Sequence, residues 1–244
     1  MPIRHILNTR PADRAAQLSR VLQTAGYQVS ELPLLAFHTL TLSEAEQQML
    51  HAVQAGDVII VVSPMAAQLG LAWLAAHPSP VWQQVRWVAV GVATAQVLAI
   101  AGFVAQVPER ANSEGVLGLP EIAQLRAPAR VLVWRGEGGR ELIQETLLQR
   151  GVALCSVAFY RRELPASSVQ GWQTVLATSQ PDAVLISSGE AWQHWCRLAG
   201  EFATLPTLLV YGDHLQRQLA PQVEVLALPS LQPDQVLAVL QANH

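Results

Sequence analysis

Residues Val131–Gly151 read VLVWRGEGGRELIQETLLQRG. An apolar run ends on Arg135, the glycines Gly136, Gly138 and Gly139 follow, and a helical spacing then begins with Ile143 and Leu147. The order is strand, turn, helix. Two phosphate-binding motifs share that order, and neither fits. The dinucleotide fingerprint G-x-G-x-x-G can start at Gly136 and Gly138, but it meets Glu141 where its third glycine belongs. A carboxylate there repels a pyrophosphate. The P-loop needs a lysine, and all 15 Lys+Arg residues of this chain are arginine. The same count excludes a Schiff-base lysine and a lysine general base. What remains is a tight turn before an exposed helix N-terminus, whose free N–H groups suit an anion without any motif.

The stretch has a second copy. Residues Ile6–Gly26 read ILNTRPADRAAQLSRVLQTAG. Arg10 aligns with Arg135, Leu18 with Ile143, Leu22 with Leu147 and Gly26 with Gly151, at a constant offset of 125 (135 − 10). The offset persists downstream, where Asp57 of GDVIIVVS meets Asp182 of PDAVLISS and Ser63 meets Ser188. Self-similarity at a fixed spacing argues for two related domains in one chain.

Composition agrees. A chain of 244 residues, 51% hydrophobic and only 14% charged, has material for two cores. A net charge of −3 and a pI near 6.1 argue against nucleic-acid binding driven by bulk charge. Cys155 and Cys196 have no metal-site spacing and read as reduced and buried. His38, His51, His77 and His194 lack the paired spacing of a metal set. The opening MPIRHILNTRP has too short an apolar run for a secretion signal, so a cytoplasmic protein is expected. Trp87–Pro108 carries no charge and is long enough to span a bilayer. It divides instead into RWVAVG, ATAQVLAIAG and FVAQV, a strand, a helix and a strand.

The same alternation runs through the whole chain, which implies an α/β fold with parallel sheets. DVIIVV is apolar throughout, as a parallel strand covered on both faces should be. Ser43 and Glu46 form a capping-box pattern, and Ser113 is expected to cap SEGVLGLPEIAQL. LLAFHTL (34–40) and VAFYRREL (157–164) both carry Ala-Phe and read as crossings between domains. The tryptophans fall at core-like positions, and no G-x-S-x-G elbow supports Ser-His-Asp hydrolysis.

In this order and spacing the sequence resembles the uroporphyrinogen-III synthase family. The resemblance is carried by TRP (9–11), GYQVSELP (26–33), DVIIVVS (57–63), VGVAT (90–94), the segment 107–117, VLVWRGEGGREL (131–142), AFYRR (158–162), DAVLISS (182–188) and YGDHLQRQLA (211–220). It covers nearly the whole chain, through motifs that are each weak. It implies two flavodoxin-like parallel-sheet domains joined by a two-stranded linker, one of them discontinuous: 1–36 with 163–244, and 41–158, with linkers near 34–41 and 157–164. From the residues alone, two tandem domains fit equally well.

The activity implied is cyclisation of hydroxymethylbilane, a linear tetrapyrrole, with loss of water and inversion of ring D, and with no cofactor and no metal. Expected with it are a monomer, no nucleic-acid or membrane partner, and a transient contact with the preceding pathway enzyme. The alternative is a non-catalytic two-lobed binder of a small anionic ligand.

Matching to the family makes Tyr160 the catalytic candidate, a phenol that helps the hydroxyl leave; its bland reading is a wall residue. Arg10 and Arg135 end equivalent strands, where open α/β sheets meet ligands, and suit substrate carboxylates. Gly136 falls in the same turn. A structural ion pair is the plain alternative for Arg135. Ser63, Ser187 and Ser188 follow the Asp-strand elements and either bind carboxylates or cap helices. VVSP at Ser63 departs from the family's Thr-Ser. Gly91, Thr94 and Gly212 fit turns where backbone meets ligand, although Asp213 and His214 depart from the small or basic residues usual there.

Overall fold

Apolar tetrapeptides alternate with helices whose apolar residues recur every three or four positions, and the chain folds accordingly. A computed structural model describes residues 2–139 and 141–243. Its first half runs β1 (His5–Asn8), α1 (Ala12–Thr24), β2 (Gln28–Glu31), β3 (Ala36–Thr39), α2 (Glu44–His51), β4 (Val58–Val61), α3 (Pro64–Ala76), β5 (Arg86–Ala89), α4 (Val92–Ile100) and β6 (Ala105–Gln106). Then come α5 (Ser113–Gly118), α6 (Pro120–Ala123), β7 (Arg130–Gly136), α7 (Leu142–Gln149) and β8 (Ala153–Glu163). The last third runs α8 (Ala166–Thr178), β9 (Ala183–Ile186), α9 (Gly189–Ala199), β10 (Thr207–Tyr211), α10 (Asp213–Leu219), β11 (Val225–Leu228) and α11 (Pro233–Ala242).

These elements form two units, one from Met1–Ala36 with Glu163–His244, the other from Phe37–Arg162. The first unit holds a five-stranded sheet in the order β2-β1-β9-β10-β11. All of its pairings are parallel. The second holds a six-stranded sheet in the order β3-β8-β7-β4-β5-β6, parallel from β8 through β6. By the repeat, β1 corresponds to β7 and β4 to β9. Each sheet therefore pairs the opening strands of one copy with the later strands of the other, and the spatial order is the same in both.

Equivalent aspartates tie this exchange together. Asp182, of the second copy, accepts Arg4 N–H and His5 N–H, each at 2.8 Å. Asp57, of the first copy, accepts Gln54 N–H at 2.9 Å and lies 3.5 Å from Arg130 Nε. Each carboxylate thus sits at the foot of a central strand and fastens it to the strand beside it from the other copy.

Alternation along the strands sorts the core into two faces per sheet. In the second unit Ile59, Val61, Leu132 and Trp134 pack on one face, and Val58, Ile60, Val131 and Val133 on the other with Ile143 and Leu147. In the first unit Leu7, Val184 and Ile186 pack with Trp172 and Trp195, while Ile6, Ala183 and Leu185 pack with Leu18 and Leu22. The apolar stretch 87–108 becomes β5, α4 and β6, and no helix among the described residues is long and apolar enough to cross a membrane.

Three local expectations need correction. Cys155 is exposed, not buried, because the alternation along β8 turns Ala153 and Cys155 outward; Cys196 is half-buried, and both thiols are free. Asn112, not Ser113, caps α5, accepting Gly115 N–H at 2.8 Å. FVAQV pairs only through Ala105 and Gln106, since β6 is the sheet edge. The Ser43–Glu46 capping box forms as read.

Candidate functional site

In the second unit, β4 ends at Val61 and α3 begins at Pro64, leaving Ser63 as the N-cap. Its Oγ accepts Ala66 N–H at 3.0 Å, the geometry that satisfies an orphan donor of the first turn. The same Oγ lies 3.0 Å from the Tyr160 hydroxyl. With one acceptor site of Ser63 used by the helix, either hydroxyl can donate to the other. Both arrangements leave one O–H proton of the pair for a ligand.

A β-bulge brings Tyr160 to this place. β7 and β8 pair in register up to Arg135↔Ala158, and then Gly136 pairs with Tyr160. Phe159 is the extra residue. Without it Tyr160 would fall out of step with Gly136; with it, consecutive residues Phe159 and Tyr160 are both buried, at 3% and 6% exposed. Bulges are rare in parallel pairs and re-aim side chains beside functional sites. Gly136 makes the approach sterically feasible, because a Cβ there would stand 2.5 Å from Tyr160 Cζ. Phe37 closes the far side of the ring, edge-on at 5.5 Å between centroids. Glu137 N–H donates to Tyr160 O at 2.7 Å and locks the turn to the bulge.

After Gly136 the chain turns through Gly138 and Gly139, both at positive φ (69° and 85°), where a Cβ would be strained. Arg140, within the stretch that opened the sequence reading, lies outside the described residues. Arg135 folds back on this turn. Its Nε donates to Gly136 O at 3.1 Å and its guanidinium also donates to Gly138 O. Gln144, oriented so that its amide N–H₂ donates to Glu141 O at 3.3 Å, accepts another Arg135 N–H. Among the described residues no side chain caps α7. A cavity of about 450 Å³ opens here, lined among others by Ser63, Asn112, Arg135, Gly136, Tyr160 and Arg162.

The first unit has its own cavity, of about 550 Å³, lined by Arg10, Arg14, Tyr211, Ser230 and Gln232 among others. Arg10 donates to Leu231 O at 3.3 Å. Burial, and then the neighbouring charge of Arg14, lower its pKa from the usual arginine value, against the opposing pull of Asp13. Asp13 lines the cavity too and lies 3.5 Å from Arg14 Nε, so Arg10 is the cation left to face an anionic ligand there.

Four of the sequence candidates, Ser63, Arg135, Gly136 and Tyr160, therefore converge on one cavity, and Arg10 lines another. Ser188 caps α9 by accepting Ala191 N–H at 3.1 Å. Its backbone angles (φ −161°, ψ 160°) nearly repeat those of Ser63 (−161°, 156°). Ser187 precedes it, half-buried. Gly212, at φ 99°, precedes α10. Gly91 opens α4, and Thr94 is buried within that helix at 1% exposed; Val90, just before them, lines the cavity. The sequence reading passed over Asn112, Gln144, Arg162 and Arg14. Arg162 stood in the quoted AFYRR, and strand parity from Tyr160 (two residues on, same face) was the signal for it. Among the described residues no group of three or more His, Cys, Asp or Glu side chains could hold a metal.

The family model described as uroporphyrinogen-III synthase HemD matches residues 16–223 of this chain. The chain belongs to the uroporphyrinogen-III synthase family. The uroporphyrinogen-III synthase of Salmonella typhimurium is 28% identical, over 97% of this chain and 99% of that protein. That of Escherichia coli is 30% identical over 77% of each. A mutant uroporphyrinogen III synthase from Thermus thermophilus has the same fold, with a TM-score of 0.74 at 14% identity over 98% of this chain and 99% of that one. The Helicobacter pylori enzyme superposes with a TM-score of 0.61 at 16% identity over the full length of both. The shared α/β fold is thus established from sequence and structure together.

Proposed function

We propose that this chain is a uroporphyrinogen-III synthase, a cyclising hydro-lyase that closes hydroxymethylbilane with inversion of ring D. Membership of the family, with similarity to the Salmonella enzyme over 97% of the chain, carries the reading. The C–O bond of the hydroxymethyl group breaks and the hydroxyl leaves as water; inversion requires that ring D give up its bond to the neighbouring methylene bridge and re-form it at its other α-carbon, whose proton is lost and balances the water, while the first α-carbon bonds the former hydroxymethyl carbon. Uninverted closure happens without an enzyme and gives the type I isomer. The protein's task is to favour one geometry over an accessible rival, which is a matter of orientation and differential transition-state binding.

In this proposal the Ser63–Tyr160 pair serves the leaving group. Its one available O–H hydrogen-bonds the departing hydroxyl, and the bulge and Gly136 hold the phenol in place. Because either hydroxyl of the pair can donate, neither is indispensable. Arg10 binds a substrate carboxylate in the first unit, with Arg14 paired to Asp13 beside it. Ser187, Ser188, Gly91, Thr94 and Gly212 are proposed as further hydroxyl or backbone contacts to the eight substrate carboxylates. The protein is proposed to work as a cytoplasmic monomer that receives its substrate from the preceding pathway enzyme.

The test is to supply hydroxymethylbilane to purified protein with no added metal or organic cofactor, and to separate the products. Mostly type III product is expected. Type I alone, at the uncatalysed rate, would overturn the proposal.

A further inference from the structure

We infer that Arg135 is a positioning residue: it clamps the turn after Gly136 to the start of α7 and so holds Gly136 against Tyr160. The activity arm of this inference rests on the function proposed above; the structural arm does not.

A turn rich in glycine and preceding an uncapped helix has little of its own to fix its shape, since glycine is the most conformationally free residue. Two of its positions, Gly138 and Gly139, adopt positive φ. Something must gather its carbonyls, and Arg135 does. An arginine has five N–H donors in a rigid plane. Nε goes to Gly136 O, and the two terminal nitrogens go to Gly138 O and to the Gln144 amide oxygen. All three acceptors are carbonyl oxygens, two of them in the turn and one on the first turn of α7. Gln144 completes the loop by donating to Glu141 O. Three of the five donors, one on each nitrogen, are therefore engaged by the chain's own carbonyl oxygens, which fixes the guanidinium plane against the turn; side-on pairing of Nε with a carboxylate would require giving up the Gly136 bond. The far end of the clamp is the catalytic pair. Gly136 lies under the Tyr160 ring, and Glu137 N–H bonds Tyr160 O at 2.7 Å. Loosening the turn moves the phenol.

Lysine would keep the charge but is a point donor that cannot span three diverging carbonyls. Arg135→Lys and Arg135→Gln should therefore behave alike. In hydrogen-exchange mass spectrometry, amides of residues 136–139 and 141–144 should exchange about tenfold faster in both variants, with β4 and β9 unchanged. In the type III assay, kcat should fall about tenfold or more while KM stays within about twofold. Gln144→Ala, a milder change that keeps Arg135, should raise exchange in the same segment to a smaller degree, and serves if an Arg135 variant does not fold. Unchanged exchange, with KM rising and Arg135→Lys restoring it, would overturn the inference and make Arg135 a carboxylate ligand. If the protein makes no type III product at all, the proposed function fails, and the exchange experiment still decides the clamp.

Discussion

The two copies of strand, turn and helix differ at one end only. α1 and α7 finish at equivalent residues, Thr24 and Gln149, on the offset of 125 (149 − 24). They start apart. α1 begins at Ala12, directly after Pro11, and has 13 residues; α7 begins at Leu142 and has 8. Where the first copy winds its first helical turn, the second leaves a glycine turn and the cavity beside it. The following strands differ as well. β2 stops at Glu31, just before Leu32 and Pro33, whereas β8 has Ala158 at the matching place and runs for 11 residues through its bulge. Proline lacks the N–H that a continuing strand needs. Tyr160 corresponds to Leu35 in the first copy, and Gly136 to Pro11. One ancestral plan is kept for the sheet in both copies, and in one of them a shortened helix and a lengthened strand make room for two hydroxyls.

That contrast is most severely tested at Gly136. Proline at position 11 shows that the plan tolerates a Cβ there, but not with a tyrosine ring in the way. Gly136→Ala should lower stability by about 1–3 kcal/mol, a drop of roughly 4–12 °C in melting temperature. It should also slow type III formation by more than about a hundredfold, because the displaced ring both withdraws its hydroxyl and shifts within the cavity it shares with Ser63. Full stability and rate would mean that the close approach is not needed.

Next in size is Tyr160→Phe, which removes the hydroxyl and keeps the ring. Loss of one hydrogen bond to the leaving group should cost about 1–3 kcal/mol, or roughly ten- to hundredfold in rate. Ser63 can still donate, so activity should not vanish. Complete loss with an intact fold would point to a dedicated acid in place of the shared pair; an unchanged rate would leave Tyr160 a wall residue.

The smallest effect concerns the length of β8. Glu46 accepts Ala158 N–H at 3.3 Å in that strand and closes the capping box of α2. Burial pushes its carboxyl pKa up, but bonds from the Ser43 backbone and hydroxyl and from Ala158 N–H outweigh this and hold it below the usual value. A depressed folded pKa stabilises above the unfolded value and loses that contribution as pH falls through the folded one. Glu46→Gln should therefore lower the melting temperature slightly at neutral pH, and the gap should narrow as the pH falls below the ordinary glutamate range. A gap that persists in acid would assign the effect to packing.

These differences mark where sequence reading succeeded. The repeat, the parallel α/β alternation and the caps at Ser43, Ser63 and Ser188 were legible because strand period, helix period and capping depend on neighbouring residues. Ser63, Arg135, Gly136 and Tyr160 were all chosen from sequence, and they line one cavity. The way they meet was not legible. A bulge at Phe159 shifts strand parity without leaving a mark in composition, and Arg135 finds its partners in a turn whose shape depends on positive φ. Cys155 was misplaced for a related reason: its residue type favours burial, but its position along β8 decides.

The matched serines test the account most directly. Ser63 and Ser188 cap equivalent helices with N–H···O distances of 3.0 and 3.1 Å, and only Ser63 also meets a tyrosine hydroxyl. Ser63→Ala and Ser188→Ala should each cost about 1 kcal/mol of stability. The rate of type III formation, measured side by side on the two variants at a temperature where both are folded, should then separate them. The account predicts that Ser63→Ala is several-fold slower than Ser188→Ala, with kcat carrying the difference. Equal rates, or a slower Ser188→Ala, would contradict a catalytic pair formed by Ser63 of the first copy and Tyr160 of the second.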